Sequence, residues 1–169
     1  MIRTATVEDA GELAAIYNYY ILKTTATFEK TAIQPKEMKA RIAKVIAALP
    51  WIVYEEDRQL SGYAYATEWK SRAGYKHTVE TSVYLKHNAP KKGIGSLLYE
   101  ALINQLIHMH FHTLIGGIAL PNQPSIALHE KFGFKKTAHF KEVGYKFNKW
   151  VDVGYWQLII DKTNNHLNL

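Results

Sequence analysis

The most constraining feature lies between Thr78 and Leu120. A run rich in β-branched residues, Thr78 to Leu85, enters the loop Pro90-Lys91-Lys92-Gly93-Ile94-Gly95. A strongly periodic helical stretch follows, and then a second apolar run, Thr113 to Leu120. Two strands joined through a helix need a parallel crossover, which is right-handed in nearly all sheets. The neighbouring segments read differently. Trp51–Glu55, Leu60–Thr67 and Thr78–Leu85 are short strand-like runs separated by turns, the pattern of an antiparallel meander. The fold class is therefore α/β, with a mixed, mostly antiparallel sheet and one parallel β-α-β crossover.

The remaining elements follow from periodicity. Ile2–Ala5 reads as a strand, and Thr6 with Asp9 as a capping box for a helix burying Leu13, Ile16, Tyr17, Tyr20 and Ile21. A second helix opens at Pro35 and buries Met38, Ile42, Val45 and Ile46. The helix after Gly95 is expected to bury Ile94, Leu97, Leu98, Ala101, Leu102, Leu106 and Met109. A short helix, Asn122–Phe132, stops at Gly133, and strands near Phe134–Tyr145 and Trp150–Ile160 close the sequence. No linker or repeat divides the 169 residues, so residues 1–161 are expected to form one domain and 162–169 a frayed tail.

Composition removes whole classes of function. With no cysteine, there is no disulfide scaffold, thiolate zinc site or cysteine nucleophile, which fits a reducing, cytoplasmic setting. The N-terminal stretch carries Glu8, Asp9 and Glu12 where a secretory leader needs basic residues followed by an apolar run. Ala101–His129 lacks Lys, Arg, Asp and Glu, yet its histidines, prolines and the pair Gly116-Gly117 make it too polar and broken for a membrane span. Twenty-one basic against 15 acidic residues give a net charge of +6, a field that draws anions. Net charge speaks to steering and not to identity: nucleic acid is one candidate, and a phosphorylated small molecule or cofactor fits as well. His108, His110 and His112 share a helix end without a local carboxylate, and no metal is expected there.

The lysine and glycine loop has the physics of an anion site. Glycine admits a phosphate to the backbone, first-turn N–H groups are unpaired, and the helix dipole favours negative charge. Alone, the same residues also make a tight strand-to-helix turn. Downstream stands Asn122-Gln-Pro-Ser125-Ile-Ala-Leu-His129-Glu-Lys-Phe-Gly133-Phe134. This combination resembles the GNAT superfamily of N-acetyltransferases, whose loop reads Q/R-x-x-G-x-G/A and whose next motif reads N-x-x-S/A-x-x-x-Y-x-x-x-G-F. Thr25–Glu29, Pro50-Trp51, Trp69–Arg72, His77–Tyr84 and Gly144–Val153 are similar to the phosphinothricin and methionine sulfoximine acetyltransferase branch. The resemblance runs from Ile2 to Ile160.

It implies a seven-stranded sheet flanked by about four helices, acetyl-CoA as co-substrate, and N-acetylation of a small amino acid. Carried over position by position, it puts Val83, Tyr84 and Leu85 along the pantetheine arm and thioester, where a backbone N–H stabilises a developing oxyanion. Lys91, Lys92, Gly93, Ile94, Gly95 and Ser96 fall on the pyrophosphate loop, with Asn122 and Ser125 also at the cofactor. Pro90 departs from the pattern, since it offers neither the Gln/Arg side chain nor an N–H, and this lowers the expected cofactor affinity.

Glu80 shares a strand face with Thr78, Ser82 and Tyr84. It is a candidate base for the amine, directly or through water, or else a holder of the ammonium or part of a structural network. His129 replaces the family's usual tyrosine; the branch implies a general acid or base, against a structural histidine on a short helix. Lys70, Ser71 and Arg72 align with the branch's acceptor-binding segment, and Glu80, Thr81 and Ser82 with the opposite wall. Of the chain's many aromatic residues, most of which belong to the core, Phe28, Trp69 and Tyr75 are candidates for walling a substrate pocket. The branch further implies a homodimer, with Lys146–Asp152 at the interface and Lys146 near the acceptor. The contrasting expectations are a different amine or peptide N-terminus as acceptor, an acetyl-CoA sensor without activity, or a basic nucleic-acid-binding domain.

Overall fold

A computed structural model describes residues 1–89 and 92–160 of the chain. Among them seven strands form one sheet in the order β1-β2-β3-β4-β5-β7-β6. They are β1 (Ile2–Thr4), β2 (Trp51–Glu56), β3 (Gln59–Glu68), β4 (Thr78–Leu85), β5 (Thr113–Ala119), β6 (Lys135–Lys146) and β7 (Lys149–Ile159). Every neighbouring pair is antiparallel except β4 and β5, which run parallel. The helices are α1 (Ala10–Lys23), α2 (Pro35–Ile46), α3 (Ile94–His108) and α4 (Gln123–Lys131). The expected mixed α/β sheet with one crossover is what forms.

Alternation along the strands sorts the core onto two faces. Trp51, Val53, Leu60 and Tyr63 point to one side and pack with Leu13, Tyr17, Met38 and Ile42 of α1 and α2. Ile52, Ala64, Ala66, Val79 and Leu114 point to the other and pack with Leu98, Tyr99, Leu102 and Leu106 of α3, joined by Phe132 and Phe134 next to α4. Thr6 and Asp9 make the expected capping box, on a 3-10 turn that leads into α1. Arg3 clasps both Asp9 oxygens at 2.9 Å, which holds the Asp9 carboxyl below the usual range.

Two helix faces differ from expectation. Ile46 is exposed at the end of α2, where the chain turns toward Leu49. Leu97 in α3 and Met109 just after it are exposed, and Tyr99 and Ile103 of α3 are buried in their place. The α3 stripe is rotated because the Tyr99 hydroxyl meets Thr81 Oγ1 at 2.7 Å, so the helix turns its one polar core group onto β4. Residues 161–169, the expected tail, lie outside the described residues. No described helix is long and apolar enough to cross a membrane.

Candidate active site

The site begins where the parallel ladder ends. Strands β4 and β5 pair only at Thr78–Thr113, Val79–Leu114 and Glu80–Ile115. Beyond that β4 stays on β3 as far as Leu85, and β5 stays on β7 as far as Ala119, so their facing edges part into a wedge. The Tyr20 hydroxyl donates to the Leu85 carbonyl at 2.8 Å, and the Leu85 N–H donates to the same hydroxyl oxygen at 3.2 Å. The Leu85 amide groups therefore point away from β3 into the wedge. The two-residue period of a strand sends those of Val83 the same way. A cleft of about 350 Å³ fills the wedge.

The cleft gathers Thr81, Ser82, Val83, Tyr84, Leu85, Gly95, Asn122, Ser125 and His129 from the expected site residues, and adds Tyr20 and Ala26. Tyr20 escaped the sequence analysis because its spacing assigned it to the apolar stripe of α1.

At the start of α3, Gly93 takes the left-handed conformation (φ 72°), which favours glycine, and no side chain caps the helix. The first-turn N–H groups of Ile94, Gly95 and Ser96 are thereby left for an anion. The Ile94 side chain itself is buried in the core. Lys92 reaches Glu56 at 2.8 Å, and Lys131 donates to Ser96 Oγ at 3.0 Å, bringing a further cation to this helix end. Pro90 and Lys91 lie outside the described residues. Asn122 accepts the Ser125 N–H at 3.2 Å, so it also caps α4.

Gly116-Gly117 organises the two candidate catalytic side chains. A side chain at Gly116 would fall onto His129 Nε2, and one at Gly117 would lie 3.0 Å from Glu80 Oε1 and 3.2 Å from Tyr155 Cε1. Successive Cβ directions point to opposite faces of a strand. His129 and Glu80 therefore flank β5 from opposite sides, each lying where a glycine leaves room. A glycine pair inside a buried strand was the sequence signal for this arrangement.

Glu80 makes no hydrogen bond or ion pair with any described residue, and burial raises its pKa above the ordinary 4.5. His129 is 4% exposed, between Tyr99 (ring centroids 5.0 Å apart) and Phe134 (5.2 Å). Its Nδ1 donates to the Ser125 carbonyl at 2.7 Å, which leaves Nε2 as an acceptor without a partner. Burial lowers its pKa, opposed by the Ser125 contact, so the ring is neutral at neutral pH.

The expected acceptor residues are spread more widely. Lys70, Ser71, Arg72 and Tyr75 lie on an exposed segment after β3, with the Lys70 ammonium 5.5 Å from the Trp69 ring centroid and Trp69 edge-on to Tyr155. Phe28 lies over Gly144, where a Cβ would collide with its ring. Thr81 faces α3 and bonds Tyr99, so it stands on the opposite sheet face from Glu80. Lys146 is buried: its ammonium donates to the Thr27 carbonyl at 2.7 Å and the Tyr20 carbonyl at 3.4 Å, fastening the loop after α1 to the β6–β7 hairpin. Its desolvation lowers its pKa, and Glu29 opposes that shift.

Comparison with known proteins agrees with this geometry. Residues 2–154 match the family model described as Acetyltransferase (GNAT) domain. The chain is 36% identical over 156 residues to a phosphinothricin N-acetyltransferase of Streptomyces viridochromogenes, covering 92% of this chain and 85% of that protein. It is 34% identical to an L-methionine sulfoximine/L-methionine sulfone acetyltransferase of Salmonella typhimurium, covering 95% of each. A phosphinothricin acetyltransferase from Sinorhizobium meliloti, solved with AcCoA, superposes with a TM-score of 0.92 at 31% identity, over 96% of this chain and 89% of that one. The open wedge and the uncapped helix start are the features such a cofactor needs, and the chain belongs to the GNAT acetyltransferase family.

Proposed function

We propose that this acetyltransferase transfers acetyl from acetyl-CoA to the α-amino group of a small amino acid bearing a tetrahedral side-chain group, of the phosphinothricin or methionine sulfoximine kind. The observation that carries the reading is the half-buried Glu80 carboxylate, which has no partner among the described residues, beside Gly117 at the edge of the wedge. When bound, acetyl-CoA supplies an acetyl group activated as a thioester. The first-turn amides of α3 hold its phosphates, and the Val83 N–H takes the thioester carbonyl oxygen. Glu80 removes the proton of the acceptor amine, directly or through one water, as the nitrogen would bond the acetyl carbon and the C–S bond would break, the sulfur leaving as the CoA thiolate to be protonated by solvent. Arg72 and Lys70 take the acceptor's carboxylate, for which a guanidinium offers a bidentate fork. His129 lies across β5 from the amine side. A neutral ring accepts rather than donates at Nε2, so the general-acid role needs a proton that burial disfavours.

Acetyl-CoA-dependent thiol release is the test, with L-phosphinothricin, L-methionine sulfoximine and L-methionine sulfone set against ordinary amino acids and polyamines. Release concentrated in the first group is expected. Release with polyamines alone would overturn the acceptor assignment.

A homodimer completes the reading. Phe140, Val143, Tyr145, Phe147 and Trp150 leave large apolar surfaces exposed on the β6–β7 hairpin, the ordinary mark of an interaction surface. Light scattering at micromolar concentration is expected to give twice the 19.3 kDa chain mass. A monomer mass would remove this part of the reading. The absence of cysteine supports the cytoplasm as its setting.

A further inference from the structure

Beyond Glu80 the edge of β4 that faces β5 loses its strand partner, and a strand edge presents the N–H and C=O of every second residue. The Lys86 N–H goes to the Ser61 carbonyl at 2.9 Å, on the β3 side, so both backbone groups of Leu85 face the wedge. One side chain takes the two of them. The Tyr20 hydroxyl donates to the Leu85 carbonyl and accepts the Leu85 N–H, as one peptide unit of a neighbouring strand would.

Tyr20 is held firmly in this place. Its ring stands edge-on to Tyr84 at 5.0 Å and to Tyr19 at 5.6 Å. Its own carbonyl accepts the Thr24 N–H at 3.2 Å, the Thr24 hydroxyl at 3.0 Å and the Lys146 ammonium at 3.4 Å. The backbone at the end of α1 is therefore pinned, and the hydroxyl moves only by torsion of its own side chain. Tyr20 lines the cleft from the α1 side, and Leu85 lines it from β4.

The pantetheine arm of acetyl-CoA carries two secondary amides, the groups that a strand edge pairs with. A backbone N–H has a single proton to give, whereas a carbonyl oxygen has two lone pairs. A pantetheine carbonyl and the Tyr20 hydroxyl oxygen therefore exclude one another at the Leu85 N–H, while the Leu85 carbonyl has room for both. The contact that satisfies this strand end is one that an arm docking at Leu85 has to break.

We propose that Tyr20 sets the affinity for the pantetheine arm, its hydroxyl standing in for the arm at Leu85 and giving way as the arm docks. This rests on the proposed seating of acetyl-CoA in the wedge. The exchange is nearly even in hydrogen bonds, so the arm gains little at Leu85, and the hydroxyl regains its partners as CoA leaves. The contact thus weakens the hold on substrate and product cofactor alike.

The test compares wild type with Tyr20→Phe, which keeps the ring and removes the hydroxyl. Acetyl-CoA and 3′,5′-ADP, the nucleotide end of the cofactor without its arm, are titrated calorimetrically into each. With no hydroxyl to displace, Kd for acetyl-CoA is expected to fall about two- to tenfold, the worth of one hydrogen bond. Kd for 3′,5′-ADP is expected to stay at the wild-type value. Melting temperature gives a linked readout: without ligand the variant melts below wild type, and saturating acetyl-CoA narrows the gap. An unchanged or raised Kd for acetyl-CoA overturns the proposal, the raised value making Tyr20 a direct holder of the cofactor. An equal fall for both ligands also overturns it, since the effect is then not at the arm. The Leu85 amide resonance of ¹⁵N-labelled wild type separates the two readings. Acetyl-CoA that binds without moving it removes the seating in the wedge and the proposal together; a shifted Leu85 amide with unchanged Kd in Tyr20→Phe removes the proposal alone.

Discussion

Replacing Glu80 by glutamine is expected to lower kcat/KM for the acceptor by about 10²- to 10⁴-fold, the usual worth of a general base, with acetyl-CoA KM unchanged. Glutamine keeps the shape against Gly117 and Tyr155 but cannot take a proton. The pH profile carries a second signature. Burial raises the Glu80 pKa above 4.5, and only the ionised form accepts the amine proton. As pH falls through that raised value, wild-type kcat/KM declines, at a higher pH than for a solvated glutamate. The glutamine variant loses this acid limb. A variant within about threefold of wild type, with the limb intact, would reassign Glu80 to a structural or ammonium-holding role.

Gly116→Ala is expected to be the most damaging small substitution in the sheet. The added methyl falls on His129 Nε2, and the ring has little freedom to move, held by Ser125 and enclosed by Tyr99 and Phe134. Overpacking of this kind costs about 1–3 kcal/mol, a fall in Tm of roughly 2–12 °C for a domain of this size. In a His129→Ala background the same methyl enters the space left by the imidazole, so the two changes couple strongly in a double-mutant cycle. Gly117→Ala meets the end of a flexible glutamate and a tyrosine edge, and is expected to be milder for stability while disturbing Glu80. Additive losses for Gly116→Ala and His129→Ala would contradict the contact.

The same histidine sets a pH dependence of stability. Its folded pKa is depressed below 6.5, so as pH falls below that value the unfolded chain binds a proton that the native state resists, and stability declines. His129→Phe is expected to flatten that slope.

How much of this was legible in the sequence depends on whether the information is local. Strand Thr78–Leu85, the glycine turn into α3 and the Asn122 cap are written in consecutive residues, and they form where the pattern puts them. The crossover follows because two strands joined by a helix leave few alternatives. The buried stripe of α3 was less legible, because apolar letters at Leu97 and Met109 compete with Tyr99 and Ile103. The Tyr99–Thr81 hydrogen bond, formed across a helix–sheet packing, decides between them.

The site divides along the same line. Most of the expected wedge residues stand at motif positions, whereas Tyr20 and Ala26 do not. That Glu80 and His129 flank β5 from opposite sides depends on the register of β4 against β5 and on the docking of α4, neither of which the spacing contains. Lys146 shows the limit most clearly. A lysine near the end of an edge strand reads as solvated or substrate-facing, yet its burial comes from a loop more than a hundred residues earlier folding over its ammonium.

The central claim is that the β4–β5 wedge and the start of α3 hold acetyl-CoA. Titrating the cofactor into ¹⁵N-labelled protein and following the backbone amides tests it most directly. Saturable shifts are expected to be largest at Val83, Leu85, Gly95, Ser96 and Ser125, with the β6 amides His139–Lys146 little moved. Saturable binding that leaves Val83, Gly95 and Ser96 unmoved would contradict it.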